Sequence, residues 1–133
     1  MEHTSNYNLS QWAGEDRILR EDFNADNAKI EAALANAGNC KIKVGSYVGT
    51  GAFGKQTPNT VVFNEKPVLV FISGPLSMTA LHGSPNGSLN SGSTATVSWQ
   101  DNSISWYSVQ SVANQLNVSG TTYYYVALVQ TSV

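Results

Sequence analysis

Residues Thr94–Ser108 read TATVSWQDNSISWYS, two alternating runs on either side of Asp101-Asn102. Successive side chains of a strand point to opposite faces, so Ala, Val and Trp alternating with Thr and Ser mark half-buried strands. With Asp101-Asn102 as a two-residue turn, Gln100 pairs with Ser103, Trp99 with Ile104, Val97 with Trp106 and Ala95 with Ser108. One face then carries Ala95, Val97, Trp99, Ile104 and Trp106, and the other carries Thr96, Ser98, Ser105 and Tyr107. A slip of one residue would turn every side chain over, so turn chemistry and alternation together predict this register. The hairpin makes the fold antiparallel β.

Working outward, further strands are predicted at 43–49, 59–64 (NTVVFN), 67–73 (PVLVFIS), 76–82 (LSMTALH), 112–118 and 121–130 (TTYYYVALVQ). PVLVFIS is apolar on both faces and is the predicted central strand, with Pro67 at its start, where a missing N–H is tolerated. The stretch Gly83–Ser93, GSPNGSLNSGS, is expected to be a mobile loop or two tight turns. Short strands punctuated by Gly, Pro, Asn and Ser predict an antiparallel β-sandwich or open barrel.

The period changes ahead of this body. From about Gln11 the residues are mostly good helix formers, and Leu9, Trp12, Leu19, Phe23, Ile30, Ala33 and Ala37 fall three, four or seven apart. That spacing is an approximate heptad seam, the pattern of helices that self-associate. Asp16 and Asp26 interrupt it, which favours a short, capped helical cluster packed against the β bodies over a long zipper. Ser10, Asp16 or Asp22 can cap a helix start, and Gly38 suits the position just past its end. One bent helix and two short ones fit equally well. A lone helix of this length is marginal in water, so its apolar stripe needs a partner. The chain therefore divides into 1–39, an arm with a helical oligomerisation or attachment segment, and 40–133, the β domain.

Composition narrows the function. The chain has 133 residues with a formal net charge of -2, which lacks the dense Lys/Arg footprint of a nucleic-acid binder. No apolar run approaches a membrane span, and MEHTSNYN lacks a signal peptide's apolar core. Cys40 is the sole cysteine, so no intrachain disulfide framework forms. Of the charged residues, only Lys55, Glu65, Lys66 and Asp101 lie beyond Lys43. A body so poor in charge has little with which to run acid–base chemistry. His3, His82 and Cys40 do not cluster as metal ligands, and no G-x-S-x-G elbow is present. Glu65 and Asp101 stand too far apart in sequence to suggest a glycosidase pair. The glycines at 45, 49, 51 and 54 read as turn positions, since no Lys-Ser/Thr follows them. The expectation is a non-catalytic protein with no cofactor and no metal.

Sugar binding is the sharper possibility. Sugars stack C–H faces on aromatic rings and present hydroxyls that need amide, carboxylate or hydroxyl partners. With Trp99 and Trp106 facing inward, the candidate ligand-binding residues are Asp101, Asn102, Tyr107, Asn114, Asn117 and Tyr124.

Two stretches carry a resemblance. Asn6-Tyr-Asn-Leu-Ser-Gln-Trp12, continued by EDRILREDFNADNAKIEAAL (15–34), resembles the opening segment of tail-fibre and receptor-binding-type proteins from phages and prophages of Gram-positive bacteria. The match rests on Asn6, Tyr7, Leu9, Trp12, Asp16, Arg20, Asp22, Phe23, Asn24, Asp26, Lys29, Ile30, Ala33 and Leu34. Gly45-Ser-Tyr47-Val-Gly49-Thr-Gly51, Leu116-Asn117-Val-Ser-Gly120 and Tyr123-Tyr-Tyr125-Val-Ala127 are similar to C-terminal β-sandwich modules of phage fibres. The resemblance implies a homotrimer made in the bacterial cytoplasm and carried on the virion tail. Its partners would be other tail or baseplate proteins and a host cell-surface glycan, with no nucleic acid and no membrane insertion. A purely structural baseplate, neck or adaptor component is the alternative, and a β-sandwich hydrolase is a more distant one.

Overall fold

The computed structural model describes residues 1–38 and 40–131; Asn39, Ser132 and Val133, which belong to the segments 1–39 and 40–133, lie outside the described residues. The chain divides into two compact units, Met1–Asn39 and Cys40–Val133.

The first unit holds a small hairpin, β1 (Glu2–His3) and β2 (Ser10–Gln11), followed by α1 (Arg20–Asn36). Thr4 closes the hairpin: its N–H donates to the Leu9 carbonyl at 2.9 Å, and its hydroxyl accepts the Leu9 N–H at 3.0 Å. Asn8 takes a left-handed conformation (φ 54), which a short polar side chain tolerates better than most. The helix predicted from Gln11 thus starts at Arg20 and runs 17 residues. The cause is local. The Asp16 carboxylate accepts the Ala13 N–H at 2.7 Å, which folds Ala13–Asp16 into a turn of its own. Leu19 caps α1 with extended backbone and no side-chain hydrogen bond, so Ser10, Asp16 and Asp22 do not serve as its cap.

The seam is redistributed accordingly. Leu9 and Trp12 stand on the arm and Leu19 at the N-cap, so of the residues assigned to self-association only Phe23, Ile30 and Ala33 lie on the helix. Trp12 rejoins them by stacking on Phe23, with ring centroids 5.9 Å apart. Asp26, out of place in an apolar seam, fastens the arm: both its carboxylate oxygens accept the Ser10 N–H, at 3.0 and 3.1 Å. Lys29 assists, donating to the Asn8 carbonyl and lying 3.8 Å from Asp26.

The second unit is an antiparallel sheet of eight strands: β3 (Cys40–Val48), β4 (Asn59–Val62), β5 (Pro67–Ser73), β6 (Met78–Leu81), β7 (Asn86–Leu89), β8 (Thr94–Trp99), β9 (Ser103–Tyr107) and β10 (Thr122–Gln130). They lie in the order β3-β10-β5-β6-β7-β8-β9-β4 as one continuous sheet. The sheet curls until its ends face each other. Tyr47 of β3 meets Trp106 of β9 at 5.9 Å, although five strands separate them along the sheet. Phe63, just past β4, meets Tyr125 of β10 edge-on at 5.9 Å. Inside the curl lies the core, with Val70, Ile72, Met78, Ile104, Trp106, Tyr123 and Val129 all essentially inaccessible. Burying each such side chain contributes about 1.5–3 kcal/mol or more.

The predicted hairpin has the observed register: Val97 opposite Trp106, Ser98 opposite Ser105 and Trp99 opposite Ile104. PVLVFIS is β5, inside the sheet between β10 and β6. Two expectations fail. Residues 112–118 form no strand but a set of turns, and the expected loop at 83–93 contains β7, well inside the sheet. Gly87 explains the second. A Cβ there would lie 2.5 Å from Met78 Sδ, so packing at that point requires the residue that makes the stretch look like a turn.

Candidate functional site

The turns at 108–120 form a clasp that joins the two ends of the curled sheet. Gln115 is its centre, fully buried at 0% exposure. Its Oε1 accepts N–H groups of Gly54 (2.8 Å) and Ser108 (3.0 Å). Its Nε2 donates to the Thr57 carbonyl (2.7 Å) and to Asn59 Oδ1 (3.2 Å). An amide has two N–H donors and two acceptor lone pairs, so this side chain is saturated. The Gln115 carbonyl accepts from Trp106 Nε1 at 2.8 Å, and the next carbonyl, of left-handed Leu116 (φ 55), accepts from Tyr47 hydroxyl at 2.8 Å.

Asn117 repeats the device one step further. Its Oδ1 accepts the Thr50 N–H at 3.0 Å, and its Nδ2 donates to Thr50 Oγ1 at 2.8 Å and to the Ala52 carbonyl at 2.7 Å. Gly49 allows the approach: a Cβ there would sit 2.1 Å from the Val118 carbonyl oxygen. Tyr47 lies beneath, stacked on Tyr123 with centroids 5.2 Å apart. Burial pushes the Tyr47 hydroxyl well above its ordinary value; the neighbouring Tyr123 adds to this, and a hydrogen bond from Asn59 opposes it.

Between β3, the 50–58 loop and β4 this clasp leaves a groove of about 260 Å³. Tyr47, Thr50, Thr57, Asn59, Thr60 and Asn117 give it a polar lining, and Val48, Ala52 and Pro58 an apolar wall. None of its lining residues is Asp, Glu, Lys, Arg or His. Such a surface offers hydrogen bonds and van der Waals contact to an uncharged polar ligand. Among the described residues no group of three or more His, Cys, Asp and Glu is placed to hold a metal ion. No helix among them is long and apolar enough to cross a membrane.

The six residues expected to bind sugar fall in four places. Asp101 and Asn102 are exposed at the β8–β9 turn, where the Asn102 carbonyl accepts the Phe63 N–H at 2.6 Å. Tyr107 is half-buried at the other end of β9, roughly 15 Å along the strand. Asn114 lies in the clasp near that end, donating to Gln110 Oε1 at 2.6 Å. Tyr124 is 64% exposed on the outer face of β10, opposite Ser46 and Ser73. Only Asn117 lines the groove, and most of its hydrogen-bonding capacity is spent inside the chain. Tyr47, Asn59, Thr50, Thr57 and Thr60 join it there, residues the sequence did not single out for binding. One signal was present: Asn114-Gln115-Leu116-Asn117 puts three amides into a predicted strand, and buried amides demand partners.

In the first unit a second, apolar notch of about 260 Å³ lies between Tyr7 and Leu9 of the arm and Ile30, Ala33, Leu34 and Ala37 at the helical end. It brings three of the expected self-association residues, Leu9, Ile30 and Ala33, to one place.

What fold and site define together is a mainly β protein with one short helix and a neutral surface groove. No family model matches this chain, and neither a curated protein nor a solved structure matches it.

Proposed function

We propose that this chain is a phage or prophage tail-fibre-type protein that attaches to a host surface by non-catalytic binding of a cell-surface glycan. The observation that carries the binding role is the groove, whose lining of hydroxyls, amides and half-buried Tyr47 is free of charge. Neutral sugars match that chemistry. At about 260 Å³ the groove falls a little under the ~300–1,000 Å³ of sites for drug-sized ligands, and suits one terminal unit of a polymer better than a long segment. In this reading the protein is a homotrimer on the virion tail, its curled sheets working as β-sandwich heads and its first unit meeting tail or baseplate proteins. It has no catalytic role.

The test is retention on host envelope preparations together with a glycan array. Thr60 is exposed at the groove, and Thr60→Arg fills it with a long charged side chain. The wild type is expected to bind, and the variant to lose at least about tenfold in affinity, 1.4 kcal/mol, at unchanged thermal stability. Equal binding by the variant removes the groove from the reading. Absence of binding to any envelope preparation favours a structural virion component, for which the apolar notch of the first unit is the supporting observation. Shortening of the polymer on incubation indicates a hydrolase instead.

A further inference from the structure

The outer surface of the curled sheet has two different halves. On β7 and β8 the outward positions are Asn86, Ser88, Thr94, Thr96 and Ser98, as expected of a sheet facing water, and on β4 they are Thr60 and the exposed Val62. On β3, β10, β5 and β6 two neighbouring outward rows are mainly apolar and in register, and the row beyond them is Ser46, Tyr124 and Ser73. Ile42 lies opposite Leu128, Leu128 opposite Leu69, and Leu69 opposite Leu81. The next row runs Val44, Val126 and Phe71 before it ends at Thr79. Ile42 is 70% exposed, Val44 77% and Leu81 57%. No charged side chain stands among these outward positions.

We infer that this face is where copies of the chain meet, the β bodies packing on one another through the outer surface of β3, β10, β5 and β6. Three observations fit a second copy as the occupant. The exposed apolar surface, with Tyr124 and Val48 at its margin, is on the order of 600 Å², at the top of the range a monomer leaves in one patch and approaching the ~800 Å² each partner gives to a stable interface. An uncharged face meets a neighbouring copy without like-charge repulsion, whichever rotation relates the two. The outer face of β7 and β8 serves as an internal control, because the same architecture facing water carries Asn, Ser and Thr there. The inference rests on the self-association proposed above and adds the surface that makes it; it is independent of the glycan.

The experiment is solution mass of the full chain by sedimentation at about 50 µM, where mass action favours assembly. The wild type is expected to exceed the 14.2 kDa of one chain severalfold. Val44→Asp and Leu81→Asp, on the outermost strands of the patch, are each expected to fall to single-chain mass with an unchanged β circular-dichroism spectrum. Thr96→Asp, on the outer face of β8, is expected to leave the mass as it is. Leu34→Asp tests the helical unit: loss of assembly there as well still leaves the sheet contact required. The inference is overturned if Val44→Asp and Leu81→Asp both stay assembled, even where Leu34→Asp dissociates, and self-association through the helix then survives it. A monomeric wild type removes both self-association claims and leaves glycan retention to be judged by its own assay.

Discussion

Gln115 and Tyr47 show how much of this fold depends on single side chains. Gln115 joins the 50–58 loop, the start of β4 and the end of β9 through one amide. Replacement by Met keeps the length but strands the buried Ser108 N–H and takes the partner from the part-buried Gly54 N–H and Thr57 carbonyl. At about 1–3 kcal/mol for the buried group and less for the two that solvent can reach, Gln115→Met is expected to cost about 2–4 kcal/mol, measurable by urea unfolding. Tyr47 carries a pH dependence whose sign is fixed by its burial. Its folded hydroxyl holds its proton to a pH above the unfolded value near 10, so above pH 10 the unfolded chain binds fewer protons than the folded one. Its stabilising contribution is complete below pH 10 and is lost as pH rises toward the folded value. Melting temperature is therefore expected to fall above pH 10, and Tyr47→Phe to make that fall shallower, while losing about 1 kcal/mol at neutral pH with the bond to Leu116. A steep alkaline fall retained in the Phe variant would assign it to other groups. Gly49 completes the set. Gly49→Ala drives a Cβ into backbone and is expected to cost about 3 kcal/mol or more, whereas Gly120→Ala meets only the strain of φ +76, about 1–2 kcal/mol.

Elements whose pattern and geometry agree were legible in the sequence; those shaped by one distant contact were not. The β8–β9 hairpin follows from alternation and a two-residue turn, and β5 from a short apolar run bounded by Pro67. β7 was hidden because Gly87 owes its place to Met78, and that contact has no local signature. The clasp reads as a strand in the sequence, since the left-handed turn of Leu116 has no local signature there. In the first unit, periodicity found the helix but not its start, since Asp16 captures the Ala13 N–H first. The acidic residues that spoil the heptad thus have local work, and Asp26 can be tested. Asp26→Ala removes the acceptor for the Ser10 N–H, a charge-assisted bond. Amide exchange at Ser10 is expected to quicken by at least about tenfold while the exchange pattern of β3–β10 stays fixed. Unchanged exchange at Ser10 would mean that the arm is held by Trp12 stacking on Phe23 and by Lys29 on the Asn8 carbonyl, without Asp26.

At the scale of the molecule, the distribution of charge separates two kinds of surface. The acidic and basic residues are concentrated in the first unit, and the β body is left with few. The groove was not legible because its lining runs from Tyr47 to Asn117, and only the curl of the sheet brings β3, β4 and β9 together. The apolar outer half was visible only as PVLVFIS being apolar on both faces, without a sign that neighbouring strands continue the patch. Its lack of charge has a consequence for any assembly it forms. Raising NaCl from about 0.05 to 0.5 M shortens the screening length from roughly 14 Å to about 4 Å, enough to weaken contacts built on surface ion pairs. An interface on Ile42, Val44, Phe71 and Leu81 has no such pairs to lose. Sedimentation mass is therefore expected to stay constant across that range, and sulfate, which is excluded from apolar surface, to tighten the contact. Because the folded assembly and not the unfolded chain is linked to concentration, melting temperature is also expected to rise with protein concentration. Dissociation by NaCl would locate the contact in the charged first unit instead.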